Sequence, residues 1–335
     1  MTHPAPTRRR FIQIAAGLSA ACLWPALAGA QQRTPLGTQL DTHTHHWQGI
    51  ALGADASLDI HHPDAATARA LTRLCLDELR RLESLFSLYQ PDSALCRLNR
   101  QGRLEVPAAD FLALLSRSQA FSRLTGGLFD ITVQPLWQAH AALGKNAGRA
   151  EREDMLRAAL ANIGWQGIRL DPERISLARP GMALTLNGIA QGYITDRITA
   201  LLAAHGVRYA LVNMGEIHGL TPEDGGRSWQ VGLEDARRPG HALMRLAIRN
   251  QAVSTSGAYG TPLGVHGDSH LFNPLNGVSR PLHRSVSVVA ADATTADALS
   301  TAFSHMPEHQ IRPLARRMGV QVYLQSLDTP GIRRV

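Results

Sequence analysis

The sequence predicts an α+β fold with mixed, largely antiparallel sheets and flanking helices. In the second half of the chain, strand-like segments follow one another without the regular helix–strand alternation of a parallel βαβ sheet. The first half contains longer segments in which apolar residues recur at helical spacing. The 335 residues suffice for one large or two modest domains, and 44% hydrophobic and 18% charged residues are typical of a globular protein.

The segment ASLDIHH (56–62) alternates like a strand, and Pro63-Asp64 then begins a helix. The apolar stripe of this helix consists of Leu71, Leu74, Cys75, Leu79, Leu82, Leu85 and Phe86. Further helices are predicted at about 108–124, 151–163, 189–206 and 294–303, and after Glu308. Further strands are predicted at 209–215, 229–235, 242–250, 284–291 and 320–326.

Residues 1–30 have the pattern of an export signal, with a basic start, an apolar middle and a small-residue end. Arg8-Arg9 before Phe11-Ile12 is typical of a twin-arginine signal, which predicts export to the periplasm and cleavage near Ala30. An uncleaved anchor is disfavoured by Pro25, and a lipoprotein signal at Cys22 by the serine three residues earlier. Residues 31–50 are interpreted as a linker or edge segment and 51–335 as the functional domain.

Charge and cysteine content narrow the function classes. Without residues 1–30 the chain has 31 basic and 27 acidic residues, a net charge of +4 with scattered arginines. This distribution does not indicate a nucleic-acid partner. Cys75 and Cys96 then remain, and either a disulfide, which the periplasm permits, or two unpaired cysteines in the core is consistent with the sequence.

The helical segment TTADALSTAF (294–303) places Asp297 and Thr301 four residues apart, on one face. One interpretation is structural: Thr294 and Asp297 form a capping box, and Thr301 bonds back to the Asp297 carbonyl. The other is functional, because a carboxylate and a hydroxyl are hard oxygen ligands suited to Mg²⁺ or Ca²⁺.

Three other stretches also allow a structural and a functional interpretation. Tyr89, in a turn-like break, either stacks on an aromatic ligand or packs over a helix end. Gly126-Gly127 either admits a ligand close to the backbone or ends a helix. The segment LTLNGIAQGYITD (184–196) places glycines where a strand joins a helix, and free backbone groups there can meet an anion or a metal.

Taken together and in order, these stretches resemble the ApbE family of FAD:protein FMN transferases. The motifs are LYQPDSALCRLN, GGLFDITVQPLW, GIAQGYITD, TSGAYG, HLFNP with Gly277, and TTADALSTA, and the resemblance covers about residues 50–325. It implies the ApbE fold, described as T-fold-like. It also implies transfer of FMN from FAD to a threonine or serine of a target protein through a phosphoester, with release of AMP.

The resemblance also implies the site residues. Mg²⁺ is expected on the side chains of Asp297 and Thr301 and the carbonyl of Gly188, and His270 is the expected base, the alternative being a histidine that only hydrogen-bonds the pyrophosphate. The expected FAD contacts are Leu52, Tyr89, Leu128, Phe129, Asp130, Thr185, Gln191 and Phe272.

Several positions depart from the family pattern. Many members have aspartate at Thr185, lysine at Gln191 and aspartate at Asn273, and some have a further acidic ligand at Ser300. Met214-Gly215-Glu216 stands where a Gly-Gly is usual. Thr185, Asn187 and Gln191 together resemble a periplasmic branch of the family associated with nitrous oxide respiration. The alternatives are a non-catalytic flavin-binding accessory protein, in which the altered residues have removed catalysis, and an FAD pyrophosphatase, in which water attacks instead of a hydroxyl side chain.

Overall fold

The computed structural model describes residues 43–143, 148–257, 262–263 and 268–335. The predicted export signal lies outside the described residues. The helices are α1 (Ala65–Phe86), α2 (Ala94–Gln101), α3 (Ala109–Leu124), α4 (Gln134–Ala142), α5 (Arg149–Leu160), α6 (Ala190–Ala204), α7 (Ala293–Phe303) and α8 (Glu308–Met318). No helix within the described ranges is long and apolar enough to cross a membrane.

The central sheet has eight strands. In spatial order they are β1 (His43–Ala51), β2 (Ala54–His62), β6 (Ala210–Asn213), β7 (Ile217–Leu220), β10 (Gln251–Gly257), β13 (Ser285–Ala290), β14 (Gln321–Gln325) and β15 (Ile332–Arg334). Every neighbouring pair is antiparallel. This arrangement confirms the predicted α+β class. The outer strand β1 crosses the predicted boundary between the edge segment and the domain.

Smaller sheets surround the central one. Strands β3 (Arg103–Glu105), β5 (Arg174–Leu177) and β4 (Ile168–Leu170) form a three-stranded antiparallel sheet. Strands β8 (Trp229–Asp235) and β9 (Arg238–Ile248) form a hairpin, and β11 (Pro262–Leu263) pairs with β12 (Asp268–Ser269).

The central sheet is covered on both faces. On one face it packs against α1, α6 and α7, and Val212, Val288 and Val322 belong to this larger core. The strand neighbours Leu211, Val289 and Tyr323 point the other way, into a second cluster with residues of the β8–β9 hairpin. This alternation is the period of two expected for a sheet with two buried faces.

The sequence-based prediction lacked two helices, α2 and α4, and the strands β3, β4, β5, β7, β10, β11, β12 and β15. The predicted break around Tyr89 lies between α1 and α2, and it ends at Ser93, the N-cap of α2, whose hydroxyl accepts the Cys96 N–H at 3.0 Å. Strand β10 lies within a stretch that reads as glycine- and serine-rich. Small residues have low strand propensity, but here they let α7 lie close against the sheet.

The two cysteines are unpaired, so the second of the two alternatives is observed. Cys75 is buried in the apolar stripe of α1, and burial raises the pKa of its thiol to about 12. Cys96 donates from Sγ to the backbone carbonyls of Ser87 and Leu88 at 3.5 Å.

Candidate functional site

The candidate site is a cavity of about 190 Å³ formed where several elements meet. Its walls come from the start of α6, the β6–β7 turn, the end of β10, helix α7, and segments 128–137 and 270–274. Ten of the twelve site residues expected from the sequence line it: Leu128, Phe129, Asp130, Thr185, Gly188, Gln191, His270, Phe272, Asp297 and Thr301.

The N-terminus of α7 corrects the capping-box interpretation. Asp292 is the N-cap and accepts the Thr295 N–H at 2.9 Å, while the Thr294 hydroxyl donates to Asp196 of α6. Asp196 also accepts the N–H groups of Ala293 at 2.7 Å and Thr294 at 2.9 Å. A carboxylate from another helix thus satisfies backbone donors that the start of a helix leaves unpaired.

Asp297 does not cap α7, and its side chain faces the cavity. Its side chain is only 3% exposed, and Oδ2 accepts the Gly192 N–H at 3.1 Å. Burial raises the pKa of Asp297 to about 7; the Gly192 hydrogen bond opposes the rise, and the Asp196 carboxylate adds to it. A buried carboxylate in this state is stabilised by a bound cation.

Gly188 and Thr301 lie against each other. A Cβ at Gly188 would approach Thr301 Oγ1 to 2.9 Å, so this close contact depends on glycine. The back-bond expected from Thr301 to the Asp297 carbonyl is made instead by the Ser300 hydroxyl, at 3.0 Å. The Thr301 hydroxyl, the Gly188 carbonyl and the Asp297 carboxylate are all hard oxygen donors, and such a set fits Mg²⁺.

The chemistry of this donor set limits which metals it can hold, because the set contains few of the histidine, cysteine and carboxylate side chains that usually bind metal ions. Over the described ranges no group of three or more His, Cys, Asp or Glu side chains is placed to hold a metal ion. A cation in the cavity would therefore rely on hydroxyl and carbonyl oxygens as well as carboxylate, which suits Mg²⁺ better than zinc or copper.

Glu216, in the β6–β7 turn, is a cavity residue whose charge the sequence analysis did not use. It is buried, and burial together with the Asp297 carboxylate raises its pKa well above the usual range. Next to it, Gly215 has a φ of +100°, and a Cβ there would lie 2.4 Å from Gln191 Nε2. Gln191 therefore lies over this turn. The described residues that line the cavity include three acids and neither lysine nor arginine.

The remaining predicted residues differ in how far they are free to contact a ligand. Phe272 packs beside His140, with 4.9 Å between the ring centroids, and His270 is half-buried two residues before it. Phe129 is 2% exposed and packs edge-on against Phe121. Asp130 lines the wall, but its oxygens accept hydrogen bonds from both donors of Thr132 and from the Trp165 N–H.

Leu52 and Tyr89 lie in a second cavity of about 940 Å³, which shares Trp137 and Asn187 with the first. Leu52 has a φ of +48°, a conformation that is unusual for a residue other than glycine, and its N–H donates to Glu83 Oε1 at 2.8 Å. Tyr89 is 54% exposed and hydrogen-bonds the Asn187 side chain. An exposed aromatic ring beside a large, mainly apolar cavity is suited to stacking on a planar ligand.

His305 supports the segment that carries His270. It is buried, and its ring hydrogen-bonds the Leu271 carbonyl. Burial lowers the pKa of His305 to about 4, that hydrogen bond opposes the fall, and the nearby His283 contributes to it. The native state therefore holds this ring neutral at pH values where a solvated histidine takes up a proton.

This arrangement predicts an acid-sensitive contribution to stability. Below pH 6.5 the unfolded chain binds a proton at His305 that the folded chain does not bind, so the free energy of unfolding falls until about pH 4, by at most about 3 kcal/mol. In His305→Asn this loss should be absent. Urea unfolding of both proteins from pH 8 to 4 measures it, and parallel pH profiles would contradict the prediction.

Comparisons with known proteins agree with the resemblance seen in the sequence. A family model described as the ApbE family matches residues 52–324. A Treponema pallidum protein named FAD:protein FMN transferase is 32% identical over 265 residues, which cover 71% of this chain and 72% of that protein. An Escherichia coli protein of the same name is 26% identical over 293 residues, covering 83% of this chain and 82% of that protein.

Solved structures show the same fold. The flavin transferase ApbE of Vibrio cholerae superposes with a TM-score of 0.76 at 23% identity, covering 88% of this chain and 97% of that one. The ApbE protein of Thermotoga maritima gives a TM-score of 0.75 at 27% identity, covering 87% of this chain and 97% of that one.

Proposed function

Because the chain belongs to the ApbE family, we propose that it transfers FMN from FAD to a threonine or serine hydroxyl of another protein and releases AMP. The observation that carries the proposal is the convergence in one cavity of ten residues expected from the sequence, with oxygen donors and His270 on its walls. The adjoining cavity adds the space that a ligand as large as FAD requires.

In the proposed reaction the acceptor hydroxyl oxygen attacks the phosphorus atom on the FMN side of the pyrophosphate. A new phosphoester O–P bond forms, the P–O bond to the AMP phosphate breaks, and AMP leaves with that oxygen and its electron pair. His270 lines the cavity and takes the hydroxyl proton, the general-base role that histidine most often has in enzymes.

The chain's own residues bind and orient the reactants. Asp297, Thr301 and Gly188 would hold Mg²⁺, which offsets the charge of the pyrophosphate and of the leaving AMP. Tyr89 stacks on a ring of FAD, and Phe272 lines the pocket. The remaining proposed FAD contacts are Leu52, Leu128, Phe129, Asp130, Thr185 and Gln191.

We also propose that the protein acts in the periplasm on an exported or membrane-bound acceptor. The Arg8-Arg9 signal supports this location. The similarity of Thr185, Asn187 and Gln191 to a periplasmic branch of the family, linked with nitrous oxide respiration, also supports this location.

The deciding experiment combines the protein lacking residues 1–30 with FAD, Mg²⁺ and a peptide that carries the family's acceptor pattern around a threonine. Mass spectrometry then measures the peptide, and the expected result is a gain of one FMN, with AMP appearing in equal amount. A peptide with alanine in place of the threonine is the control and should gain nothing.

The other outcomes identify the alternatives. Free FMN and AMP with an unmodified peptide would show that water is the acceptor, as in an FAD pyrophosphatase. Intact FAD bound without turnover would indicate an accessory protein. The accessory alternative has one observation in its favour: with glutamine at position 191, the described lining residues include neither a lysine nor an arginine to face the pyrophosphate.

A further inference from the structure

Two buried acids from different elements line the same cavity. Asp297 comes from α7 and Glu216 from the β6–β7 turn, and they are close enough for their charges to repel each other. Both side chains are at most 5% exposed. No lysine or arginine stands among the described lining residues, so no protein cation on this wall balances the pair.

A chain of hydroxyl groups connects Glu216 with the face of α7 that carries Asp297 and Thr301. The Ser254 hydroxyl and the Thr255 N–H, both of β10, hydrogen-bond the Glu216 carboxylate. Ser254 Oγ lies 3.0 Å from Ser300 Oγ, and Ser256 Oγ lies 2.8 Å from the same atom. Ser256 Oγ is also 3.4 Å from Thr301 Oγ1.

This network shows the role of Ser300, which stands where some family members have a further acidic ligand. Ser300 is fully buried, and its hydroxyl is engaged by two serines of β10 and by the Asp297 carbonyl. It adds no charge to the site. Glu216, which Ser254 connects to Ser300, provides a carboxylate in the same cavity.

We propose that Glu216 binds the same divalent cation as Asp297 and is a second anionic ligand of the site. The proposal rests on the cation-binding part of the proposed function. Two carboxylates with a hydroxyl and a carbonyl form an all-oxygen ligand set, which hard cations prefer, and added ligand charge raises their affinity. A cation between the acids also removes the repulsion that their burial creates.

The test measures cation binding without FAD, so it does not depend on turnover. Mn²⁺ accepts the same oxygen ligands as Mg²⁺, and its free ion is counted directly by electron paramagnetic resonance. Glu216→Gln keeps the size of the side chain and removes its charge. We expect its Kd for Mn²⁺ to rise by about tenfold or more, the effect typical of losing a group that tunes a metal site.

Three further variants serve as controls and comparisons for the Kd of Glu216→Gln. Glu83→Gln makes the same change at an acid of the neighbouring cavity and is expected to leave the Kd unchanged. Asp297→Asn is expected to weaken binding at least as much as Glu216→Gln. Glu216→Asp, which keeps the charge on a shorter side chain, should give an intermediate Kd, and circular dichroism checks that each variant folds.

The outcomes separate the two proposals. If Asp297→Asn weakens Mn²⁺ binding and Glu216→Gln does not, Glu216 is only a buried acid of the β6–β7 turn and this inference is overturned. Absence of Mn²⁺ binding by the wild-type protein would overturn the inference together with the proposed Mg²⁺ site. Tight binding through both acids, with no peptide labelled, would leave the inference standing and reject the FMN transfer.

Discussion

Asp297→Asn is expected to lower FMN transfer by roughly a thousandfold, the scale of losing a main electrostatic contact in a transition state. Asparagine keeps an oxygen that can accept the Gly192 N–H, so the local backbone contact is preserved. What disappears is the buried negative charge. Because that charge is unfavourable without a cation, the cation-free variant should be at least as stable as the wild type.

Two measurements on the same preparations check this prediction. The initial rate of peptide labelling gives the loss of transfer, and thermal unfolding with EDTA or with Mg²⁺ gives the stabilisation by the cation. Asp292→Asn, at the N-cap of the same helix, is the control, and it should retain both the wild-type labelling rate and the stabilisation by Mg²⁺. Transfer by Asp297→Asn within tenfold of the wild type would remove Asp297 from the reaction.

Asp196→Ala is expected to cost about 3 kcal/mol of folding free energy. Its carboxylate accepts the N–H groups of Ala293 and Thr294 and the Thr294 hydroxyl, and alanine leaves these partly buried donors without an acceptor. Each unsatisfied buried donor costs about 1–3 kcal/mol. Since α7 carries Asp297 and Thr301, transfer activity should fall with the stability.

Urea unfolding at pH 7.5 measures this loss, with Asp292→Ala as the matched control. Asp292 caps the same helix from within its own chain segment, and removal of an ordinary N-cap costs about 1 kcal/mol. Equal losses of folding free energy for the two variants would show that the Asp196 contact from α6 stabilises α7 no more than an ordinary N-cap does.

The sequence predicted the fold class because most strands and helices carry a local signal. Asp64 caps α1 as expected, α3 ends just before Gly126-Gly127, and the segment 229–235 is strand β8 with the predicted bounds. The locations of the site residues were predictable for a different reason. They came from ordered motifs, and the structure places the described parts of those motifs around two adjoining cavities, residues 258–260 of TSGAYG lying outside the described ranges.

What the sequence could not provide were contacts between distant segments. Nothing local in the chain indicates that Asp196 caps a helix nearly a hundred residues later, and Thr294 with Asp297 imitates a capping box that does not form. Strand β10 was missed because the reason for its serines lies in a distant segment. They are small residues that allow α7 to pack closely, and α7 is about forty residues further along the chain. The serine network and Glu216 became visible only with the tertiary contacts.

The absence of lysine and arginine from the described cavity lining has a consequence for how the two ligands bind. A dianionic pyrophosphate entering a pocket of three acids meets repulsion, and a divalent cation alone meets a site that lacks the phosphate oxygens. Each ligand therefore raises the affinity of the protein for the other, and thermodynamic linkage requires the factor to be the same in both directions. The Kd for the cation should therefore be lower with FAD than without it, and FAD should bind more tightly with the cation than with EDTA.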